Sequence, residues 1–339
     1  MLRKRDIVQN HNHFKAPTSP KRMNILVTGG AGFIGCNVVA ELLQRGHQVT
    51  VLDDLSFGRK ENLQPVLHNI TFIQGSITDE EIVRKACQNM HVIINLAAAS
   101  ASPMFSLANI RKAVHVNIDG FLLLLKVAVE QKVKRVLYAS TSSIYGNNFD
   151  KLHEQSTPLP PNMYAATKLG NEYFASVFSQ EYELETIGFR FLSVYGPHEE
   201  SKGKYANLAS QFLWAALQEQ SLVIYGDGSQ KRDFTYVKDV AQALALGAES
   251  NKKHLAEVLN VASGQSHSLN ELVFFLNQLL GKKIQPQYIP NPVKNYIVSQ
   301  DADISKIQQV LSYKPKFLLP QGLQDMYPSV KLAEIRKNT

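Results

Sequence analysis

The sequence predicts an α/β protein, a doubly wound parallel sheet with a smaller mixed α/β lobe, and three observations predict it. Short apolar runs rich in β-branched residues, NILVTG, QVTVLD, ITFIQG, HVIINLA, RVLYAS and TIGFRF, each end in small or polar residues. That is the pattern of strands buried on both faces. Amphipathic stretches of helical period separate the runs, and such βα alternation lays strands side by side in parallel with helices on both faces. After about residue 192 the pattern loosens, with Pro and Gly at YGP, YGDG, IPNP and YKP, which marks the smaller lobe.

Composition bounds the class. With 339 residues, 44% hydrophobic and 19% charged, the chain can bury a large core, which excludes disorder of the whole. Cys36 and Cys87 are too few for a disulfide framework or a zinc site and suit a reducing, cytoplasmic setting. No metal is expected. No apolar stretch approaches the roughly 20 residues of a membrane span; the longest, FLLLLKVAV, is interrupted by Lys126. The net charge of +7 is mostly a tail. Arg3, Lys4, Arg5, Lys15, Lys21 and Arg22 against Asp6 give residues 1–22 a charge of +5, leaving +2 for the other 317. That tail lacks the apolar centre of a secretory signal, so it reads as a solvated extension, with neither nucleic acid nor membrane as partner. Met23 directly precedes the first strand and is expected to be the native start.

The first unit carries the strongest motif. In NILVTGGAGFIG a strand leads directly into Gly29, Gly32 and Gly35, and the helix NVVAELLQRG follows. Glycines permit a tight turn and close approach of backbone to a pyrophosphate, while the helix N-terminus offers free amides and the positive end of its dipole. This is the signature of a Rossmann-like dinucleotide site. Asp53 ends the second strand, where its carboxylate can accept both ribose hydroxyls of an adenosine. A 2′-phosphate there would be repelled by Asp53 and Asp54, so NAD is the expected cofactor. The domains follow: a tail over 1–22, an NAD-binding domain over 23–192 with segments of 233–262 returning to it, a mainly substrate-binding lobe over 193–325, and a C-terminal tail over 326–339.

Two further stretches supply chemistry. Tyr164 and Lys168 in MYAATKLGNEYF are one helical turn apart on one face. An ammonium beside a phenol, helped by the positive charge of an oxidised nicotinamide, lowers the phenol pKa and makes a general base for an alcohol. YASTSSIYG, at the end of an apolar run, places Thr141 and its neighbours as hydroxyl donors to that same alcohol.

These residues together resemble the extended short-chain dehydrogenase/reductases, specifically the NAD-dependent nucleotide-sugar epimerases and dehydratases of UDP-glucose 4-epimerase type. The likeness covers residues 23 to about 325 and rests on TGGAGFIG, LDDLSFGR, NLAA, NIDG, STSSIYG, YAATK and KRDFTYV. It implies Thr141, Tyr164 and Lys168 as the catalytic hydroxyl, tyrosine and lysine. It places Phe33, Ile34, Ser56, Gly58, Ile77, Leu96, Ala97 and Ala98 at the cofactor, and Asn117 as a support for the active-site geometry. On the substrate side it implies Ser142, Ser143, Asn207 at the diphosphate, Val223 and Tyr225 at the base, and Arg232 as a diphosphate clamp, a role its guanidinium fork suits. It also implies a homodimer, and FLLLLKVAVEQ and NEYFASVFSQEY, apolar on more than one face, are the helices expected to pair across a two-fold axis.

The chain departs from the family at three places. Ser76 stands where an aspartate often reads the adenine amine, Ser193 where an asparagine is usual, and Lys294 is the nearest basic residue where an arginine normally precedes DADISK. A fourth difference selects the reaction. Related 4,6-dehydratases carry Asp-Glu after the catalytic threonine, because eliminating water needs an added acid and base, and related decarboxylases commonly carry a glutamate. Here those positions are Ser142 and Ser143. Reversible proton and hydride transfer at one carbon needs only hydroxyls, so the expected activity is epimerisation of a UDP-hexose at carbon four. Two alternatives stand beside dehydration or decarboxylation. PHEESKGKYANLASQFL is similar to ADP-glycero-manno-heptose 6-epimerases, with Lys202 where those enzymes have a second acid/base lysine, although Asp53-Asp54 argues against their NADP. The same scaffold could also serve as an NAD-sensing regulator without turnover.

Overall fold

Each of the six apolar runs is a strand in the computed structural model, which describes residues 22–100, 105–147, 151–292 and 298–338. They are β1 (Asn24–Thr28), β2 (Gln48–Asp53), β3 (Ile70–Gln74), β4 (Val92–Asn95), β5 (Arg135–Thr141) and β6 (Glu185–Phe191). The smaller elements that follow are β7 (Val194–Tyr195), β8 (Val223–Tyr225), β9 (Lys231–Arg232), β10 (Thr235–Tyr236), β11 (Glu257–Val261), β12 (His267–Ser268) and β13 (Gln287–Ile289). β11 returns to the large sheet, whose order is β11-β6-β5-β4-β1-β2-β3 with every pair parallel. The chain runs outward from β1 to β2 and β3, then crosses back to β4. That reversal opens a crevice at the carboxyl ends of β1 and β4, where ligands of such sheets bind.

Helices cover both faces. On one lie α1 (Phe33–Gln44) and, from later in the chain, α7 (Val237–Glu249); Val38 and Leu42 of α1 meet Val240 and Leu244 of α7 over Val27 and Val51. On the other lie α2 (Glu80–Ala86), α4 (Gly120–Glu130) and α5 (Met163–Tyr182), with Val83, Leu124, Leu125 and Ala175 against Leu26, Ile93 and Val136. The short α3 (Ile110–Val114) runs into α4 through a π-helical turn at His115–Asp119. β6 is buried at every position, as a central strand covered on both faces requires. Fully burying one such Val, Leu or Ile stabilises by about 1.5–3 kcal/mol.

The smaller lobe has its own core. α6 (Leu208–Leu217), α8 (Leu269–Leu280) and α10 (Leu319–Asn338) enclose Phe212, Leu213, Leu272, Leu276 and Leu323 over Ile224 of β8. α8 starts on a capping box between Ser268 and Glu271 and stops at Gly281, whose φ of +62° is the left-handed C-terminal cap. α9 (Ser305–Leu311) packs on β11. One expectation is corrected: residues 326–331 are no tail, because Met326 and Val330 fall on the buried face of α10, 0% and 2% exposed. Residues 1–21 of the basic tail and Lys294 lie outside the described residues. Among the described residues no helix is long and apolar enough to cross a membrane, and no cluster of His, Cys, Asp and Glu could hold a metal ion.

Candidate active site

A cleft of about 940 Å³ opens at the carboxyl end of the large sheet, at the upper end of the roughly 300–1,000 Å³ typical of ligand sites. Gly29, Gly32, Phe33, Ile34, Gly35, Asp53, Ser56, Gly58, Ser76, Ile77, Leu96, Ala97 and Ala98 line it, and so do Thr141, Tyr164 and Lys168. The structure therefore gathers into one cavity every cofactor-side residue read from the sequence except Asn117.

The glycine loop shows why its spacing is needed. Gly29 has φ +67°, and a Cβ there would sit 2.7 Å from the Ala97 amide nitrogen. A Cβ on Gly35 would lie 2.1 Å from the Gly29 carbonyl, so only glycine lets the first turn of α1 press onto the loop. The loop ends at Gly32, the N-cap of α1, which has neither a side-chain cap nor an acidic residue in its first turn. Its amides and dipole remain free for an anion. Asp53 accepts from Ala31 N at 2.9 Å with one oxygen and from Leu55 N at 2.8 Å with the other. Two amides leave lone pairs on both oxygens for ribose hydroxyls. Asp54 turns to Ser56, accepting from its amide and hydroxyl at 2.9 and 2.6 Å. A dinucleotide is thus matched at both its diphosphate and its adenosine end.

The reacting end is assembled by β5 and α5. Asn162 caps α5 by accepting from Ala165 N at 2.9 Å, and the helix carries Tyr164 and Lys168 into the cleft beside Thr141, the last residue of β5. The Tyr164 phenol lies near enough to Thr141 for that hydroxyl to lower its pKa. Lys168, 2% exposed, donates from Nζ to the Ala139 carbonyl at 3.0 Å. Burial governs both groups: it pushes the Tyr164 phenol up to about 12, against the pull of the Thr141 hydroxyl, and the Lys168 ammonium down to about 8. That is the protein alone, without the nicotinamide charge on which the expected acidification of the tyrosine also relies, and there burial dominates the phenol.

Asn117 stands behind the wall. Its Oδ1 accepts from Ala99 N at 2.7 Å, and its Nδ2 donates to Ala99 O at 3.1 Å and Thr167 Oγ1 at 3.0 Å. Thr167 donates in turn to the Tyr164 carbonyl at 2.7 Å. One amide thus fixes the loop after β4 to the turn of α5 that bears the tyrosine, and it sits in a π-helical turn, a distortion common at functional sites. Below, Glu172 of α5 takes a hydrogen bond from Ser140 at 2.5 Å and a salt bridge from Arg190 of β6 at 2.7 Å. Sequence reasoning missed this pair, whose signal, a carboxylate one turn after Lys168, was present.

The substrate-side residues are not on the cleft wall. Thr141 accepts from Ser143 N at 3.2 Å, which starts a single 3-10 turn over Ser142–Tyr145. Asn207 caps α6 through Ala209 N at 2.9 Å. Val223 and Tyr225 project from β8, 40% and 37% exposed, and Arg232 on β9 donates to the Lys231 and Val298 carbonyls at 2.7 and 3.3 Å. Asp233 and Asp239 are turned to backbone amides, of Ser263 and Gly264 and of Lys316 and Phe317. An unexpected link joins Ser142 to Ser193: Gln300 donates to Ser142 Oγ at 3.2 Å and accepts from Ser193 Oγ at 3.0 Å. Three other residues that sequence reasoning did not place at the cofactor, Ser201, Lys202 and Tyr205, close the cleft from the smaller lobe.

The chain is similar to known proteins along most of its length. Residues 25–262 match the family described as the NAD dependent epimerase/dehydratase family. A UDP-glucuronate 4-epimerase of Thermodesulfobacterium geofontis is 34% identical over 88% of this chain and 93% of its own. A UDP-N-acetyl-alpha-D-glucosaminuronate decarboxylase of Bacillus cytotoxicus is 31% identical over 88% and 95%. The solved UDP-N-acetylglucosamine 4-epimerase of Methanobrevibacter ruminantium, in complex with UDP-N-acetylmuramic acid, superposes with a TM-score of 0.86 at 33% identity, covering 92% of this chain and 99% of that one. With a glycine loop, a carboxylate at the end of β2 and a Thr-Tyr-Lys set in one crevice, and with that family match across most of its length, the chain belongs to the NAD-dependent epimerase/dehydratase family.

Proposed function

We propose that the protein epimerises a nucleotide-diphosphate sugar, a UDP-hexose at carbon four. One observation carries this reading over dehydration or decarboxylation: among the described residues the carboxylates lining the cleft are Asp53 and Asp54, both at the adenosine end, while the reacting end offers Thr141, Tyr164 and Lys168. When bound in its oxidised form, NAD supplies the hydride acceptor and a positive charge that favours phenolate. Thr141 orients the sugar hydroxyl, and Tyr164 takes its proton and returns it after the sugar has turned its other face. Lys168 holds the β5 backbone at Ala139 and gives the site its only buried ammonium among the described residues. Ser142 and Ser143 contact the sugar, Asn207 and Arg232 the substrate diphosphate, and Val223 and Tyr225 the base.

Lys202 favours a second reading, epimerisation at carbon six of a heptose nucleotide, since it lines the cleft. The Asp53 geometry weighs against it, because a 2′-phosphate would meet a carboxylate already anchored by two amides. Incubating the protein with individual UDP-, GDP-, ADP- and CDP-sugars and resolving products by NMR tests the assignment. The expected product has unchanged mass and inverted configuration at carbon four; loss of water or carbon dioxide overturns it.

The protein acts as a homodimer in this reading. α5 exposes Tyr173 and Val177, one turn apart on one side, 63% and 46% exposed, and Leu123 and Val129 of α4 are only half-buried. Pairing these helices across a two-fold axis would cover them. A monomeric mass at micromolar concentration refutes it. The two buried, unpaired cysteines suit a cytoplasmic location.

A further inference from the structure

The turn between β7 and α6 reaches from the smaller lobe onto the cofactor half of the cleft. Asn37 of α1 donates to the Pro197 carbonyl at 3.3 Å and so ties the start of this turn to the glycine-loop helix. Beyond it, Lys202 lines the cleft with its Nζ 4.6 Å from the centre of the Phe33 ring. Phe33 is the first residue of α1, so the ammonium stands over a side chain of the helix's first turn, on the same cleft that the glycine loop lines.

The lysine is held there from beneath. Its Nζ lies 3.1 Å from Glu199 Oε1, and the Glu199 side chain is 1% exposed. Glu199 is itself fixed, accepting from Asn207 N at 3.0 Å and from Ser210 Oγ at 2.6 Å. A buried carboxylate of this kind needs a cation, and that requirement holds the lysine head, its side chain 36% exposed, beside the cleft. An ammonium has three donors, and the bond to Glu199 uses one.

We propose that Lys202 is a cofactor-binding residue: its remaining donors bind the diphosphate of NAD across the cleft from the glycine loop, so that the smaller lobe clamps the cofactor. This inference rests on the epimerase reading for its purpose. An enzyme that must reuse one cofactor within a single turnover gains from a charge that keeps the dinucleotide in place. It also replaces the acid/base role for Lys202, because a side chain engaged at the diphosphate end is remote in function from the reacting hydroxyl.

The test is equilibrium binding of NAD, ADP-ribose and adenosine to the cofactor-free protein, wild type against Lys202→Met and Lys202→Arg. ADP-ribose keeps the diphosphate and lacks the nicotinamide; adenosine lacks both. Lys202→Met is expected to weaken NAD and ADP-ribose alike, by roughly 10- to 100-fold, the range for a hydrogen bond between charged groups. Adenosine should bind Lys202→Met as it binds the wild type, which also shows that the variant is folded, and Lys202→Arg should recover most of the loss. Raising the salt should narrow the gap between wild type and Lys202→Met. Unchanged ADP-ribose affinity in Lys202→Met overturns the proposal, and so does a variant that binds NAD normally yet loses turnover, the signature of an acid/base lysine. Binding is read without turnover, so a failure here is distinct from a failure of the epimerase assignment in the sugar panel.

Discussion

The two walls of the cleft are built in different ways. The cofactor wall comes from strand ends of one parallel sheet and the turns directly after them: Gly29–Gly35 after β1, Asp53 ending β2, Leu96–Ala98 after β4, Thr141 ending β5. The facing wall comes from turns of a lobe with a separate core, reaching across at Ser201, Lys202 and Tyr205. Where a sheet fixes the strand ends, each loop inherits its place from the hydrogen-bonded register. Where two cores meet, a side chain's place depends on how both pack.

The sharpest way to break this comparison is Tyr164→Phe. If the sheet-built wall holds the chemistry, turnover should fall by about 10²- to 10⁴-fold while NAD remains bound, because the variant removes the proton carrier and little volume. Turnover near the wild-type rate, measured by NMR on the sugar substrate, would move the chemistry to the other wall.

Glycine substitutions compare the packing of the two lobes. At Gly35 a Cβ collides with the Gly29 carbonyl, and Gly35→Ala should cost about 3 kcal/mol in denaturant unfolding and weaken NAD binding. Gly226, beside β8, has φ +82° and nothing within 4 Å of a Cβ, so Gly226→Ala should cost only about 1–2 kcal/mol, from the left-handed backbone alone. Equal costs would erase the distinction.

A smaller effect reports on burial at the reacting end. Lys168 is held down to about 8, so between there and the ordinary lysine value near 10.5 the unfolded chain binds more protons than the folded one. Stability should therefore rise with pH across that window, by up to about 1.4 kcal/mol per unit, and should be lost as pH falls towards 8. Tyr164, pushed up to about 12, acts in the opposite sense above about pH 10, where the folded state keeps a proton that the unfolded chain releases. Urea unfolding of the cofactor-free protein between pH 8 and 10 should show the rise in wild type and its absence in Lys168→Met.

The smallest effect is expected at Gln300. Gln300→Ala removes both bonds that join Ser142 to Ser193. KM for the sugar should rise roughly 3- to 10-fold with kcat little changed and NAD affinity intact, the loss of about one neutral hydrogen bond. A fall in kcat comparable with Tyr164→Phe would make this lobe part of the chemistry.

How much of the site was legible follows from these distances along the chain. Asp53 could be assigned because it ends a strand, and Tyr164 with Lys168 because four residues is one helical turn. Gln300 carried no signal, since its partners Ser142 and Ser193 are 158 and 107 residues away and nothing local to it differs from a surface glutamine. Asn117 was named only through the family resemblance; its bonds to Ala99 and Thr167 are 18 and 50 residues apart in sequence.

By itself the sequence determined the parallel sheet, the glycine turn beneath α1 and the reacting pair on α5. Strand alternation, helical period and the steric demands of glycine act over a few residues, and each leaves its mark in the order of the side chains. Only the tertiary structure decided that Met326 and Val330 complete a core rather than a tail, that Lys202 stands over Phe33, and that burial moves the Tyr164 and Lys168 pKa values in opposite directions. Those outcomes depend on which surfaces exclude water when two cores come together, and desolvation belongs to the packed whole, not to any stretch of the chain.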